Sequence, residues 1–165
     1  MNRLYLAIAP LVAVAASTPG FGAVERLPDP LRFWEGRTES VSTVKVVMKK
    51  PFKSRSIGRG QIRPDGSLVL VQRVVEEGNP ARDRRWHIRK VGDRRYSGTM
   101  SEARGPVTIE EVDGRYRFRF KMKGNLSVEQ WLNPLPGGRA AESIVTIRKF
   151  AMRVGHSEGV VRRLD

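Results

Sequence analysis

The chain has no cysteine. Disulfides, thiolate metal sites, a cysteine nucleophile and acylation at a lipobox cysteine are therefore excluded. Histidine is scarce too: His87 and His156 are the only two in 165 residues, and nothing around them has the spacing of zinc ligands. The longest apolar stretch, Leu4 to Ala16, is shorter than the ~20 residues that a spanning helix needs. Capped segments with a 3.6-residue apolar period are also rare, which argues against a helical fold. Three Trp and three Tyr are too few for the aromatic girdles of a membrane barrel, and Gln, Glu or Arg interrupt several of the apolar faces such a barrel would show to lipid.

What is present is positive charge. Lys and Arg number 31 against 17 Asp and Glu, a net +14 spread along the whole chain. This says nothing about fold, but it predicts attraction to polyanions. The 39% hydrophobic content supports a real core in one domain.

The first residues, "MNRLYLAIAPLVAVAASTPGFGAVE", open with one positive charge, Arg3, then the apolar run, then a small-residue zone. Ala13-Val14-Ala15 fits the A-x-A cleavage rule. Residues 1–23 are therefore expected to be a cleavable signal peptide, cut between Ala15 and Ala23, and residues 24–165 the mature domain. The expected location is periplasmic or secreted, and without cysteine the chain is not a lipoprotein. Nucleic acid suits the charge but not that compartment, and no stacking platform of exposed aromatics is visible.

The mature chain reads as short alternating runs between turn signals. Pro28 and Pro30 are expected to block regular structure at its start. "SVSTVKVVMKK" precedes "RSIGRGQIR", which turns at Pro64-Asp65-Gly66 into "SLVLVQRVVEE". "RRWHIRKV" turns at Gly92-Asp93 into "RRYSGTMSEA", and "GPVTIEEV" turns at Asp113-Gly114 into "RYRFRFKMK". Asp-Gly between apolar runs is a strong hairpin signal. Gly124-Asn125, "LSVEQWL", "NPLPGGR", "AAESIVTIRKF" and "AMRVGHSEGVVRRL" complete the chain. The pattern predicts an all-β fold, a small antiparallel up-and-down barrel of about 8–10 strands.

"RYRFRFKMK" decides which face is inside. Tyr116, Phe118, Phe120 and Met122 alternate with Arg115, Arg117, Arg119, Lys121 and Lys123. Burying the apolar set stabilises by about 1.5–3 kcal/mol per side chain. Burying the cations, with no carboxylate on the same strand, would cost several kcal/mol each. The aromatics therefore point inward.

The order of "RFWEGRTES", "GRGQIRPDGSLVLVQRVVEEG", "RRWHIRKVGDRRYSGTMSEARGPV" and "FRFKMKGNLSVEQWLNPLPGGRAAESIVTIRKFAMRVG" resembles a family of bacterial lipocalin-like envelope proteins, a domain-of-unknown-function family. The resemblance runs from about Phe33 to the C-terminus. It implies a lipocalin-like (calycin-like) barrel with an internal pocket in the periplasm or on the envelope. It brings no assigned activity and no site residues.

The inward set Trp86, Tyr96, Met100, Tyr116, Phe118, Phe120 and Met122, joined by Gln72 and Gln130, is the candidate pocket lining. It suits a lipid or other hydrophobic small molecule, although sequence leaves open whether the interior is filled or hollow. The outward set Arg115, Arg117, Arg119, Lys121 and Lys123 is the candidate basic surface, suited to an anionic membrane or a cell-wall polymer, with Glu110 and Glu129 as cross-strand partners that would neutralise it. Glu35 is expected to sit beside Trp34 and Arg37 at a plugged barrel end, with an ion pair at the rim. His87 is expected outside among cations, and His156-Ser157-Glu158 in a loop or bulge. Gly58 and Gly60 are expected to allow a bulge or sharp bend. No catalytic residue, metal or cofactor is expected. The alternatives are a barrel enzyme acting on an apolar substrate through Glu35 or His87, and an adaptor with a filled core.

Overall fold

The computed structural model describes residues 29–165, and the expected signal peptide lies outside them. One helical turn, α1 (Pro30–Phe33), is followed by ten strands: β1 (Gly36–Val46), β2 (Phe52–Ile62), β3 (Leu68–Glu76), β4 (Arg82–Gly92), β5 (Arg95–Met100), β6 (Val107–Val112), β7 (Arg115–Met122), β8 (Leu126–Pro134), β9 (Ala140–Lys149) and β10 (Met152–Arg163). Each strand pairs antiparallel with its neighbour in sequence, and β1 pairs with β10 to close the sheet. The fold is an all-β, up-and-down, lipocalin-like barrel.

Alternation builds the walls, because successive side chains of a strand face opposite sides of the sheet. In β7, Tyr116 and Phe118 are buried and Arg115 and Arg119 exposed. The predicted turns form where backbone chemistry allows them. Asp113 and Gly114 have φ of 52° and 75°, and Gly124 and Asn125 have φ of 77° and 57°. Gly, Asn and Asp tolerate this left-handed region best. The turn read at Gly92-Asp93 falls one residue later, since β4 runs through Gly92 and Arg94 takes φ 53°.

Two expectations need correction. Pro30 does not block regular structure: it opens α1, where its missing N–H is one that a helix start leaves unpaired anyway. The Asp29 carboxylate caps the turn by accepting from the Leu31 N–H at 3.0 Å. Gly58 and Gly60 form no bulge either, since β2 keeps register with both neighbours. Their role is close approach: a Cβ at Gly60 would run into the Trp34 carbonyl oxygen, so glycine lets α1 seat against β2.

That seat divides the barrel. The turns β2–β3, β4–β5, β6–β7 and β8–β9 lie at the α1 end, and the other five hairpin turns surround the opposite mouth. The core of Leu31, Phe33, Trp34, Leu68, Ile88 and Ile109 lies toward the α1 end.

Candidate functional site

The closed end is packed solid. Phe33 is fully buried and meets Trp34 edge to face, ring centroids 5.4 Å apart. Tyr96 is buried here, its phenol near the Asp29 cap. Burial, and then the charges of Asp29 and Glu111, push that phenol up to about 12. The chain beyond β10 ties onto the start of β1, just after the plug: the Asp165 carboxylate accepts from the Arg37 N–H, and Leu164 N–H donates to the Arg37 carbonyl at 2.9 Å.

The mouth half is hollow. A chamber of about 240 Å³ opens there. A deeper one of about 80 Å³ reaches Trp34, Gln72 and Phe118. The two share Ser40, Ser56, Arg84, Trp86 and Gln130, so they adjoin along the axis. Together they lie near the lower limit of ligand pockets, roughly 300–1,000 Å³.

The two sides of the hollow differ in chemistry. On β1, β2, β9 and β10, inward positions are Ser40, Ser42, Ser54, Ser56, Ser143 and Ser157, with Val44, Val145 and Ile147 toward the rim. Of these serines, Ser143 alone is hydrogen-bonded by another side chain among the described residues, accepting from Gln130 Nε2 at 2.9 Å. The facing side, from β4, β5 and β7, presents Trp86, Met100, Phe120 and Met122. Trp86 stands edge-on to Phe120 at 6.0 Å and donates from Nε1 to Gln72 Oε1 at 2.7 Å, which fixes its ring.

At the mouth, Arg82 and Arg84 point inward with Trp86. Charges this deep need partners. Arg82 forks onto both oxygens of Glu76 at 2.9 and 3.0 Å and donates from Nε to Glu102 at 2.6 Å. Arg84 donates from Nε to the other Glu102 oxygen at 2.7 Å. Burial pushes the Glu102 carboxyl up, but Arg84 and Arg82 outweigh it and hold it below the usual carboxylate value. Hydrogen bonding to Glu76 and Glu102 keeps Arg82 firmly charged. The cluster is charge-balanced, and Arg84 reaches from it into both chambers.

The structure distributes the expected lining residues over both halves. Trp86, Met100, Phe118, Phe120 and Met122 line the chambers, whereas Tyr96 and Tyr116 belong to the packed core. Gln72 and Gln130 do face inward. On the outer face, Arg117 and Arg119 both bind Glu110, at 2.7 and 3.1 Å, and hold its carboxyl low. Arg115 and Arg117 lie over the Trp131 ring at 4.7 and 5.5 Å. The basic wall is thus partly neutralised by Glu110. Glu129 instead accepts from Trp131 Nε1, at 3.4 Å.

The candidate acid–base residues lie elsewhere. Glu35 is paired with Arg32 at 3.6 Å rather than with Arg37, and lines neither interior chamber. His87 is on the outside, its Nε2 3.2 Å from Ser67 Oγ. Ser67 donates its own proton to Asp65 Oδ1 at 2.7 Å, so the imidazole must donate to the serine, the reverse of what nucleophile activation requires. His156 and Glu158 pair on the outer face of β10 at 2.8 Å, while Ser157 points into the barrel. They are strand residues, not loop residues, with a register irregularity just before them between Arg153 and Gly155, and alternation separates the serine from the other two.

The serine side and the Arg82–Arg84 cluster are the functional candidates that the sequence reading passed over. The signal was present: once Trp86 is placed inward, period two places Arg84 and Arg82 inward as well.

Comparison with known proteins supports the architecture. The S-type phycobiliprotein lyase CPES from Guillardia theta superposes with a TM-score of 0.66 at 8% identity, covering 82% of this chain and 90% of that one. A redesigned beta barrel, mFAP0, bound to DFHBI, gives a TM-score of 0.45 at 11% identity, covering 79% of this chain and 99% of that one. No family model and no curated protein matches the sequence. At such identities the first likeness shows the fold, a closed antiparallel barrel, and nothing finer.

Proposed function

We propose that this protein is an exported, lipocalin-like binding barrel that carries a small amphipathic molecule in its mouth half. One observation carries the reading: the plug fills only one end of the barrel, and the remaining hollow has an apolar side facing a hydroxyl side. An aliphatic segment would lie against Trp86, Phe120, Met100 and Met122. A polar end would meet the serine hydroxyls and Arg84, whose Glu102 partner already fixes its direction. Pre-set polar groups in an otherwise apolar pocket orient a ligand at little entropic cost.

The likeness of the first solved barrel, a phycobiliprotein lyase, is compatible with this use of the fold. Periplasmic or secreted location, and kinship with the lipocalin-like envelope family, belong to the same proposal. So does electrostatic contact of the basic exterior, through Arg115, Lys121 and Lys123 above all, with an anionic membrane or cell-wall polymer.

Native mass spectrometry of the protein with dodecanoic acid and its methyl ester tests the cavity. Retention of one molecule, with a change in Trp86 emission, is expected. Ser56→Phe, which projects a ring into both chambers, should abolish retention while circular dichroism stays unchanged. Equal retention by parent and variant, or none by the parent across both probes, would sink the reading.

A further inference from the structure

The mouth carries a second feature, on its rim. Two hairpin tips expose large apolar side chains: Val47 (60%) and Met48 (99%) between β1 and β2, and Phe150 (70%) and Met152 (67%) where β9 turns into β10. The tips adjoin, because β1 pairs with β10 and Val47 N–H donates to the Val154 carbonyl at 3.0 Å. Around them stand Lys49, Lys50, Arg148, Lys149 and Arg153, none of which is in an ion pair among the described residues. Neither Lys45–Lys53 nor Arg148–Ser157 contains a single carboxylate. The adjoining arc of the rim, beyond β2, is different: there Glu77 accepts from the Lys53 N–H at 2.9 Å, and Glu76 and Glu102 accompany the arginines.

The backbone points the same way. The β9–β10 connection is a two-residue turn whose residues, Phe150 and Ala151, have φ of 48° and 67°. Asp113-Gly114 turns with both residues at positive φ and carries residues suited to it. Phe150 is unsuited, as a bulky side chain at positive φ is strained. Met48 also stands at φ 63°. Apolar residues held in unfavourable backbone and in water are costly twice over, and a cover would remove the second of these costs.

We propose that these two tips form a docking edge for an anionic lipid bilayer, with Val47, Met48, Phe150 and Met152 entering the interface and the surrounding cations meeting phosphate head groups. A soluble acidic polymer would satisfy the cations but offers no apolar phase for Met48 and Phe150. A second copy of the chain would set uncompensated cations against one another. The bilayer satisfies both halves of the patch, as it does for interfacial elements that combine apolar and basic residues. Docked this way, the barrel mouth faces the membrane along one arc while the acidic arc stays in water. The partner in this proposal rests on the envelope location proposed above.

Flotation with phosphatidylcholine–phosphatidylglycerol vesicles tests it, using the purified protein. Binding is expected, absent with phosphatidylcholine alone and weakened by salt. The variant Met48→Asn/Phe150→Asn/Ala151→Gly replaces all three positive-φ residues with ones that favour that backbone. It should keep or raise the melting temperature and lower vesicle affinity about tenfold or more. Lys49→Glu/Lys50→Glu should cost roughly fivefold per charge or more. Phe150→Trp should shift its emission to the blue on anionic vesicles. Unchanged binding by the triple variant overturns the proposal. So does equal binding to heparin and vesicles with no spectral shift, or self-association that the same substitutions remove. Ser56→Phe keeps the tips intact, so loss of fatty-acid retention with vesicle binding preserved counts against the cavity alone. Retention without vesicle binding in the parent counts against the docking edge alone.

Discussion

The two ends of this barrel are built from one alternating pattern and come out opposite. At the closed end, inward positions hold Phe33, Leu68, Ile109 and Leu132, each within 2% of complete burial, and α1 fills the opening. At the mouth, Trp86, Met100, Phe120, Met122 and a charge-balanced cluster face a side built largely of serines, and space remains. Side-chain volume decides the difference: a serine column cannot reach across a ten-stranded cylinder, whereas phenylalanine and leucine can. The closed end supplies stability, and the mouth is free to spend some of it.

Substitutions can break or sharpen that contrast. The largest effect is expected from Phe33→Ala, which empties the plug and should cost about 3–5 kcal/mol in urea unfolding. A loss below about 1 kcal/mol would mean that the plug is not the core. Next, Glu102→Gln strips Arg84 of its partner and should cost roughly 1–3 kcal/mol at neutral pH. The same variant has a pH signature. The Glu102 carboxyl is held below its ordinary 4.5 in the folded protein, so its contribution is complete above that value and is lost as pH falls through the lower folded one. The parent should therefore weaken in acid below about pH 4.5 more steeply than Glu102→Gln, and parallel denaturation curves would remove the cluster from the account.

A smaller effect of opposite sign is expected at the rim. Phe150→Asn/Ala151→Gly should raise stability by about 1 kcal/mol or more in thermal melts, because both new residues accept positive φ. The smallest change is expected from Glu35→Gln or His87→Ala, each within about 0.5 kcal/mol, since both side chains lie outside the barrel interior with loose partners. A large effect at either site would point to chemistry that the geometry does not provide.

Much of the fold was legible. Period two in "RYRFRFKMK", together with the cost of burying cations, settles the inward face, and the Asp-Gly pairs mark the turns. The interior was legible only for its aromatics. The rule that cations face out fails at Arg82 and Arg84 because their carboxylates come from β3 and from the loop after β5, a pairing that only the closed sheet assembles. Tyr96 and Tyr116 share a face with Phe120, but depth along the axis, not face, separates plug from chamber, and depth depends on strand stagger. The Phe150-Ala151 turn gives no local signal, since neither residue favours the backbone it adopts.

The hairpins around the mouth are short, six residues at the longest in 101–106 and two in 150–151. None has the length to fold back across the opening as a moving flap, the usual source of slow gating. Under the proposed binding role, loading and release would need no movement of such a flap. A carrier of the proposed kind would then exchange its contents with its surroundings, its filling tracking local supply rather than outlasting it.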